Sequence, residues 1–265
     1  MRPIPFVVAA TAHGPMIVSI NDRKVTPDGR TGIGVGWQIF NMGAFDPDEV
    51  ELAKNILRSR YKNHGENVFA LDLGANIGVH TIEWARLMQG WGQVFAVEAQ
   101  QRLFYALCGN IAINNLFNAQ AIHAAVGATA EGIMEIPLPN YYDQGSLGSL
   151  ELRKSDRNED IGQPIDYSKT FPVSTITVDS MAIPRLDFAK IDVEGMEMEV
   201  LVGAEATITS FKPILLVEHI KSDVIAMKDW LVGHGYSVYP AGINLIAVHN
   251  DDPCIDDVVQ QNGGG

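Results

Sequence analysis

Short apolar runs alternate with amphipathic segments from residue 66 onward. The runs have the length of buried strands and predict strands at residues 68–73, 94–98, 119–123, 188–193 and 214–218. The intervening segments have apolar residues every three or four positions and predict helices at residues 79–88, 101–114, 197–208 and 223–234. Such alternation implies an α/β fold with a mostly parallel sheet, helices on both faces and right-handed crossovers. Two last runs, 236–239 and 245–249, predict an antiparallel hairpin at the sheet edge.

The first 60 residues do not follow this alternation. They contain a strand pattern at 16–20, a glycine-rich loop at 29–36, and a helix pattern at 47–60 for which Asp46 is the predicted N-cap. We therefore expect residues 1–60 to form an N-terminal extension that is able to cover an active site.

A polar insertion interrupts the alternation at about residues 139–169. A loop of this length in a compact domain is usually a lid, a binding loop or a disordered segment. Its Tyr141, Tyr142, Ser146 and Ser149 are candidate contacts of an acceptor, and a plain surface insertion is the alternative. The main domain is predicted at residues 61–250 and a tail at residues 251–265.

Composition and charge exclude several classes of protein. The 265 residues include 19 Lys+Arg and 32 Asp+Glu, a net charge of −13, and no basic run suited to a nucleic acid backbone. Cys108 and Cys254 form no CxxC motif, which argues against a disulfide scaffold or a common zinc site and suits a reducing cytoplasm. No apolar stretch of ~18 residues predicts a membrane span. A homo-oligomer is left open.

The turn after the first predicted strand carries an acid and two glycines. It reads DLGANIG, with Asp72 two residues before Gly74, and Asn76 and Gly78 following. A dehydrogenase would have GxGxxG, whereas this DxGxxxG spacing gives a wider turn with a carboxylate that would repel a diphosphate. The carboxylate suits a cation, such as the amino group of S-adenosylmethionine. The structural alternative is a tight turn with Asn76 as an N-cap.

The second predicted strand ends in Glu98, which arrives at the same edge of the sheet. Ligands of doubly wound sheets bind at the carboxyl ends of the strands, where such an acid accepts both ribose hydroxyls. Ala99 beside it and Ala125 after the third strand would flank the adenine. A solvated acid at a strand end is the alternative for Glu98.

Two further strand ends carry candidate catalytic groups. The segment KIDVEG delivers Asp192 and Glu194, and the next strand delivers Glu218 and His219. His219 is the predicted general base, since an unperturbed histidine has a pKa near ~6.5. Asp192 or Glu194 would orient it or bind the acceptor, although Glu194 also suits a helix N-terminus. These groups are hard ligands, so Mg²⁺ is an alternative, but no metal is the favoured prediction.

Five segments together resemble the FkbM family of S-adenosylmethionine-dependent methyltransferases. They are LDLGANIGVHT (71–81), VFAVEA (94–99), TITVDSM (175–181), FAKIDVEGMEMEVLVGA (188–204) and ILLVEH (214–219). The resemblance implies a Rossmann-like class I methyltransferase fold with seven strands, S-adenosylmethionine as cofactor and S-adenosylhomocysteine as product, and adds Thr81 to the cofactor site. Family members often have an acid–Pro pair where this chain has Glu98-Ala99, so the adenine contacts differ.

Members that resemble this chain methylate hydroxyl groups of sugars, polyketides or other secondary metabolites. The resemblance therefore implies O-methyl transfer to a small-molecule or glycan acceptor. Two other functions remain as alternatives: a non-catalytic S-adenosylmethionine or nucleotide binder, and a nicotinamide-dependent oxidoreductase. The oxidoreductase would require GxGxxG at the first turn, which is absent.

Overall fold

The computed structural model describes residues 4–26, 28, 31–130, 132–156 and 158–254. Residues 255–265 of the predicted tail lie outside this range. So do residues 1–3 of the predicted extension and residues 29 and 30 of its glycine-rich loop. No helix in the described ranges combines the length and apolar character needed to cross a membrane.

A seven-stranded sheet forms the centre of the fold and confirms the predicted class. The strands of the chain are β1 (Phe6–Thr11), β2 (Gly14–Ser19), β3 (Lys24–Val25), β4 (Gly32–Ile33), β5 (Val68–Leu73), β6 (Gly92–Glu98), β7 (Ala119–His123), β8 (Ala125–Val126), β9 (Gly132–Pro137), β10 (Thr170–Ile176), β11 (Phe188–Ile191), β12 (Ile214–Glu218), β13 (Tyr236–Ala241) and β14 (Asn244–His249). The central order is β13-β14-β12-β11-β5-β6-β7. All neighbours are parallel except β14, which is antiparallel to β12 and to β13.

Helices cover both faces of this sheet. They are α1 (Val35–Met42), α2 (Pro47–His64), α3 (Val79–Leu87), α4 (Gln101–Ile113), α5 (Glu197–Val202), α6 (Glu205–Phe211) and α7 (Val224–Gly233). Side chains of β5 alternate between the faces. Val68 and Ala70 pack in a core with residues of α2, α3 and α4, whereas Phe69, Leu71 and Leu73 pack in a second core with residues of α5, α6 and α7. Burial of β5 on both faces explains why Val68 to Leu71 are all apolar.

The predicted glycine-rich loop at 29–36 contains β4 and the first residues of α1. Two further details differ from the sequence expectation. The predicted helix at 197–208 is two helices with a break at Gly203, where a Cβ would lie 2.1 Å from the Gly127 carbonyl oxygen. Asp179 then accepts hydrogen bonds from the backbone N–H groups of Ala206 and Thr207 in the first turn of α6. Asp46 stands at the N-cap position of α2 but makes no capping bond; its Oδ1 instead accepts from Gln38 Nε2 at 3.0 Å.

One buried amide makes several of the contacts between the N-terminal hairpin of β1 and β2 and the main domain. Asn110 of α4 is fully buried, and its Oδ1 accepts a hydrogen bond from the Ile17 N–H at 2.5 Å. Its Nδ2 donates to the carbonyl oxygens of Ile17 and Ile77, at 3.2 and 2.8 Å. The same side chain thus connects the hairpin, α4 and the turn after β5.

We predict that Asn110→Ala lowers the free energy of unfolding by about 2–3 kcal/mol, because it leaves buried backbone groups without partners. Asn114→Ala is the matched control, since Asn114 also contacts the hairpin, through the Pro15 carbonyl oxygen, but at an exposed site. We expect a loss below about 1 kcal/mol for the control. Urea denaturation checks both values, and equal losses would contradict the role given to Asn110.

Candidate active site

A cavity of about 340 Å³ lies at the carboxyl ends of β5, β6, β11 and β12. Parallel strands place their last residues at one sheet edge, so the chain segments that follow them converge there. The turn after β5 and the end of β6 line one part of the cavity. The ends of β11 and β12 line another part.

The glycine-turn end of the cavity is lined by Asp72, Gly74, Asn76 and Glu98. Gly74 has φ +83°, and a Cβ at this position would lie 1.7 Å from the Asp192 carbonyl oxygen. Only glycine allows the β5 turn and the end of β11 to approach so closely. This contact joins the two parts of the cavity.

Two predicted cofactor residues, Thr81 and Gly78, stabilise this turn from outside the cavity. Thr81 is fully buried, does not line the cavity, and donates from Oγ1 to Asp72 Oδ2 at 2.5 Å. Gly78 also lies behind the cavity wall, with φ +90° and with Leu107 Cδ1 only 2.5 Å from where a Cβ would be. Thr81 thus orients the Asp72 carboxylate, and Gly78 allows α3 to start against α4.

The carboxylate of Glu98 is fixed by two backbone donors. Its Oε2 accepts from the Asn76 N–H at 2.8 Å and its Oε1 from the Gln100 N–H at 2.7 Å. Burial raises the pKa of Glu98 to about 7, and these two hydrogen bonds oppose the rise. Ala99 and Ala125 line the cavity beside it as apolar walls.

The acidic end of the cavity consists of the carboxylates of Asp192, Glu194 and Glu218, which the structure brings together. Glu197 holds the loop that carries Glu194, since its Oε1 accepts from the N–H groups of Val193 and Gly195 at 3.0 and 3.1 Å. Burial, and then the Asp192 charge, raise the pKa of Glu218 to about 8. The same two causes raise the pKa of Glu194 well above its ordinary value.

Two lysines neutralise part of this charge. Lys190 Nζ lies 2.6 Å from Asp192 Oδ2, and Lys221 Nζ donates to Glu194 Oε2. Burial alone would lower the pKa of Lys190, but the carboxylates of Asp192 and Glu49 raise it above its usual value. Both lysines are therefore charged parts of the site.

His219, the predicted general base, is not among the residues that line the cavity, whereas its neighbours Glu218 and Ile220 are. Successive side chains at the end of a strand point to opposite sides. The His219 N–H donates to the Ile243 carbonyl oxygen at 3.1 Å, so its backbone is fixed. Glu218 thus occupies the place in the cavity that was expected for His219.

Two segments outside the strand ends complete the walls. The extension contributes residues of α1 and α2 with the preceding loops: Ile33, Gly34, Val35, Gln38, Phe45, Asp46 and Glu49. The insertion contributes Ser146, Gly148, Ser149, Leu150, Leu152 and Glu159. Tyr141 and Tyr142 do not line the cavity; Tyr141 packs near Phe6, and Tyr142 is 62% exposed.

The buried carboxylate of Asp22 connects these two covering segments. Its Oδ2 accepts from the Gly36 N–H of the extension at 3.0 Å, and its Oδ1 accepts from the Leu147 N–H of the insertion at 2.8 Å. Burial raises the pKa of Asp22 to about 6 despite these bonds. The Asp22 side chain is thus one of several contacts that hold the insertion against the extension; the Arg23 N–H, for example, donates to the Gly145 carbonyl oxygen at 3.0 Å.

The sequence analysis did not predict that Glu49 and Lys190 belong to the site. Glu49 reaches the site from α2: its Oε2 accepts from Asn244 Nδ2 at 2.7 Å, and its Oε1 lies 3.2 Å from His80 Nε2. Lys190 had a signal, because a lysine within the otherwise apolar strand FAKI must find a buried partner. Glu49 had none, since its partners are far away in sequence.

A second group of metal-type side chains lies apart from the cavity. His64, Asp252 and Cys254 come together, although the sequence shows no Cys/His cluster. Arg60 already pairs with Asp252 there, and Asn63 Nδ2 donates to Cys254 Sγ at 3.4 Å. The group therefore belongs to a structural network of buried polar side chains.

The family model described as "Methyltransferase FkbM domain" matches residues 72–238. The chain belongs to this family. The matched FkbM region begins at Asp72 and includes the glycine-turn end and the acidic end, but it excludes the N-terminal extension. No functionally curated protein has a sequence that matches this chain.

Three solved structures illustrate the similarity of the FkbM chain to methyltransferases. Methyltransferase FkbM from Methylobacillus flagellatus KT has a TM-score of 0.49 and 15% identity, over 69% of this chain and 44% of that chain. A putative caffeoyl-CoA O-methyltransferase from Staphylococcus aureus has a TM-score of 0.47 and 11% identity, over 80% of this chain and 88% of that chain. M. jannaschii TYW2 in complex with AdoMet has a TM-score of 0.44 and 12% identity, over 94% of this chain and 86% of that chain. The chain thus spans less than half the length of the first of these proteins.

Proposed function

We propose that this chain is an S-adenosylmethionine-dependent methyltransferase that methylates a hydroxyl group of a small-molecule or glycan acceptor, such as a sugar or a polyketide. The observation that carries the proposal is a single cavity that joins the glycine-turn end to the acidic end. Membership of a methyltransferase family supports the reaction type.

The glycine-turn end has the chemistry that S-adenosylmethionine requires. Each oxygen of Glu98 accepts one backbone N–H, and a carboxylate oxygen has further acceptor capacity for a ribose hydroxyl. Ala99 and Ala125 offer apolar surface to an adenine ring. Asp72 places negative charge where the methionine amino group would be positive. We propose these residues, with Gly74, Asn76, Gly78 and Thr81, as the cofactor site.

The cofactor, when bound, supplies a methyl group on a sulfonium sulfur. The chain must position the acceptor hydroxyl, exclude water and receive the hydroxyl proton. The extension and the insertion both cover the cavity and are suited to exclude water. We propose that Asp192, Glu194 and Glu218 bind the acceptor hydroxyl and that its proton leaves toward these carboxylates rather than toward His219.

The first prediction concerns the identity of the cofactor. S-adenosylhomocysteine at about 100 times its Kd is expected to stabilise the fold by about 2.7 kcal/mol, and NAD is expected to give no stabilisation. Thermal-shift measurements check this. Asp72→Asn is expected to weaken the effect because it removes the negative charge, whereas Asp143→Asn, at an exposed site of the insertion, is expected to leave it unchanged. A wild-type chain that is indifferent to S-adenosylhomocysteine contradicts the proposal.

The second prediction concerns pH. Because burial raises the pKa of Glu98 to about 7, the side chain is ionised above pH 7 and protonated below it. The ribose hydroxyls need the ionised form as acceptor, so the affinity for S-adenosylhomocysteine should fall as the pH drops from 8 to 6. Calorimetric titrations at several pH values check this. Glu98→Gln does not titrate, so it is expected to bind more weakly and to have a flatter pH profile. An equal pH dependence in both proteins would exclude Glu98 as the cause.

The third prediction separates Glu218 from His219. Purified protein is incubated with methyl-tritiated S-adenosylmethionine and a polar metabolite extract from cells that lack this chain. We expect label to enter an acceptor that gains one CH₂ by mass spectrometry. Glu218→Gln is expected to reduce the rate by at least about 100-fold, and His219→Ala by only a few fold. The opposite pattern would restore His219 as the base.

A further inference from the structure

The acidic end has more carboxyl groups than ammonium groups. Lys190 serves two carboxylates, with Nζ 2.6 Å from Asp192 and 3.9 Å from Glu49. Lys221 likewise serves Glu194 and Glu159, the latter at 3.3 Å. Both ammonium groups are thus shared before Glu218 is considered. The site as folded has room for additional positive charge.

Glu218 has one oxygen that no described residue satisfies. The residue is only 6% exposed, its side chain lines the cavity, and its Oε2 is buried without a hydrogen-bond partner. A buried, unpaired carboxylate oxygen is costly, and native structures normally pair such an atom with a donor or a cation. A donor or a cation held in the cavity would supply the missing partner.

The three carboxylates also have the mutual spacing of a metal site. One ligand oxygen from each of Asp192, Glu194 and Glu218 lies within 4.8 Å of the other two. Ligand oxygens of an octahedral ion with bonds of about 2.1 Å are about 3.0 Å apart when adjacent and about 4.2 Å apart when opposite, so side-chain movements of up to about 2 Å would close the site. All three ligands are hard oxygens, which suit Mg²⁺ or Mn²⁺.

We propose that Asp192, Glu194 and Glu218 bind one divalent cation, Mg²⁺ or Mn²⁺, at the acidic end of the cavity. Its role in transfer rests on the proposed function: a bound cation lowers the pKa of a hydroxyl that coordinates to it. The hydroxyl proton would still leave to a carboxylate oxygen that the cation does not occupy, because the His219 ring does not line the cavity and His80 already lies against Glu49.

Direct binding of Mn²⁺ tests the site without cofactor, acceptor or turnover. Chelator-treated, buffer-exchanged full-length protein is titrated with Mn²⁺, and free Mn²⁺ is followed by electron paramagnetic resonance. We expect one ion per chain. Glu218→Gln and Asp192→Asn are each expected to weaken binding at least about tenfold. Glu135→Gln, which changes an exposed carboxylate on β9, is the matched control and is expected to bind as the wild type does.

Folding of each variant is checked by its thermal shift with S-adenosylhomocysteine, which depends on the other end of the cavity. Absence of Mn²⁺ binding in a wild-type protein that binds S-adenosylhomocysteine overturns the cation site and leaves the proposed function standing. Mn²⁺ binding that Glu218→Gln does not weaken also overturns it. Mn²⁺ binding without S-adenosylhomocysteine binding supports the cation site and contradicts the proposed function.

An ammonium group is the rival occupant of this site. Ethanolamine serves as its probe, in thermal-shift measurements of the metal-free protein with S-adenosylhomocysteine. Stabilisation by ethanolamine that Glu218→Gln abolishes, together with absence of Mn²⁺ binding, would replace the cation by an amine of the acceptor. Stabilisation by Mn²⁺ alone supports the proposal.

Discussion

The ammonium group of Lys190 makes the ion pairs on which the acidic end of the cavity depends. It sits in a strand buried on both faces, and it lies between Asp192 at the end of that strand and Glu49 of α2. Without its charge the two carboxylates would face each other across a buried site, where repulsion is weakly screened. A lysine in the middle of the sheet is what allows acidic groups to accumulate at the sheet edge.

The same contact makes the N-terminal extension part of the site. Glu49 bonds to Asn244 and lies against His80 as well as near Lys190, so it links α2 to α3, β11 and β14. These charges hold its pKa at about 2 although burial alone would raise it. The extension is therefore attached where the acceptor would bind, and Asp22 connects it to the insertion that closes the other side.

The sequence predicted most of the central sheet and placed the expected site at the carboxyl ends of its strands, where the cavity lies, because both follow from local patterns. Runs of buried residues indicate strands, and the ends of parallel strands meet wherever the helices between them are placed. Local patterns do not determine which of two adjacent residues at a strand end enters the cavity, and for Glu218 and His219 the answer depends on strand orientation. The role of Glu49 could not be predicted for another reason, since only the folded chain brings α2 close to β11. The close packing of Gly203, at the break between α5 and α6, against the Gly127 carbonyl oxygen is likewise a contact between residues far apart in sequence.

The two ends of the cavity are built from different kinds of contact, and this difference bears on specificity. The glycine-turn end is formed largely by backbone contacts. Gly74 permits the turn after β5 to approach the Asp192 carbonyl oxygen closely, and two backbone N–H groups fix Glu98. Such contacts tolerate little change in sequence, and the family match includes all of them. Around the acidic end the walls come from the insertion and from α1 and α2, and the latter precede the matched region. Under the proposed function, changes in these segments would alter the acceptor space without touching the glycine turn, so acceptor choice would be separable from cofactor binding.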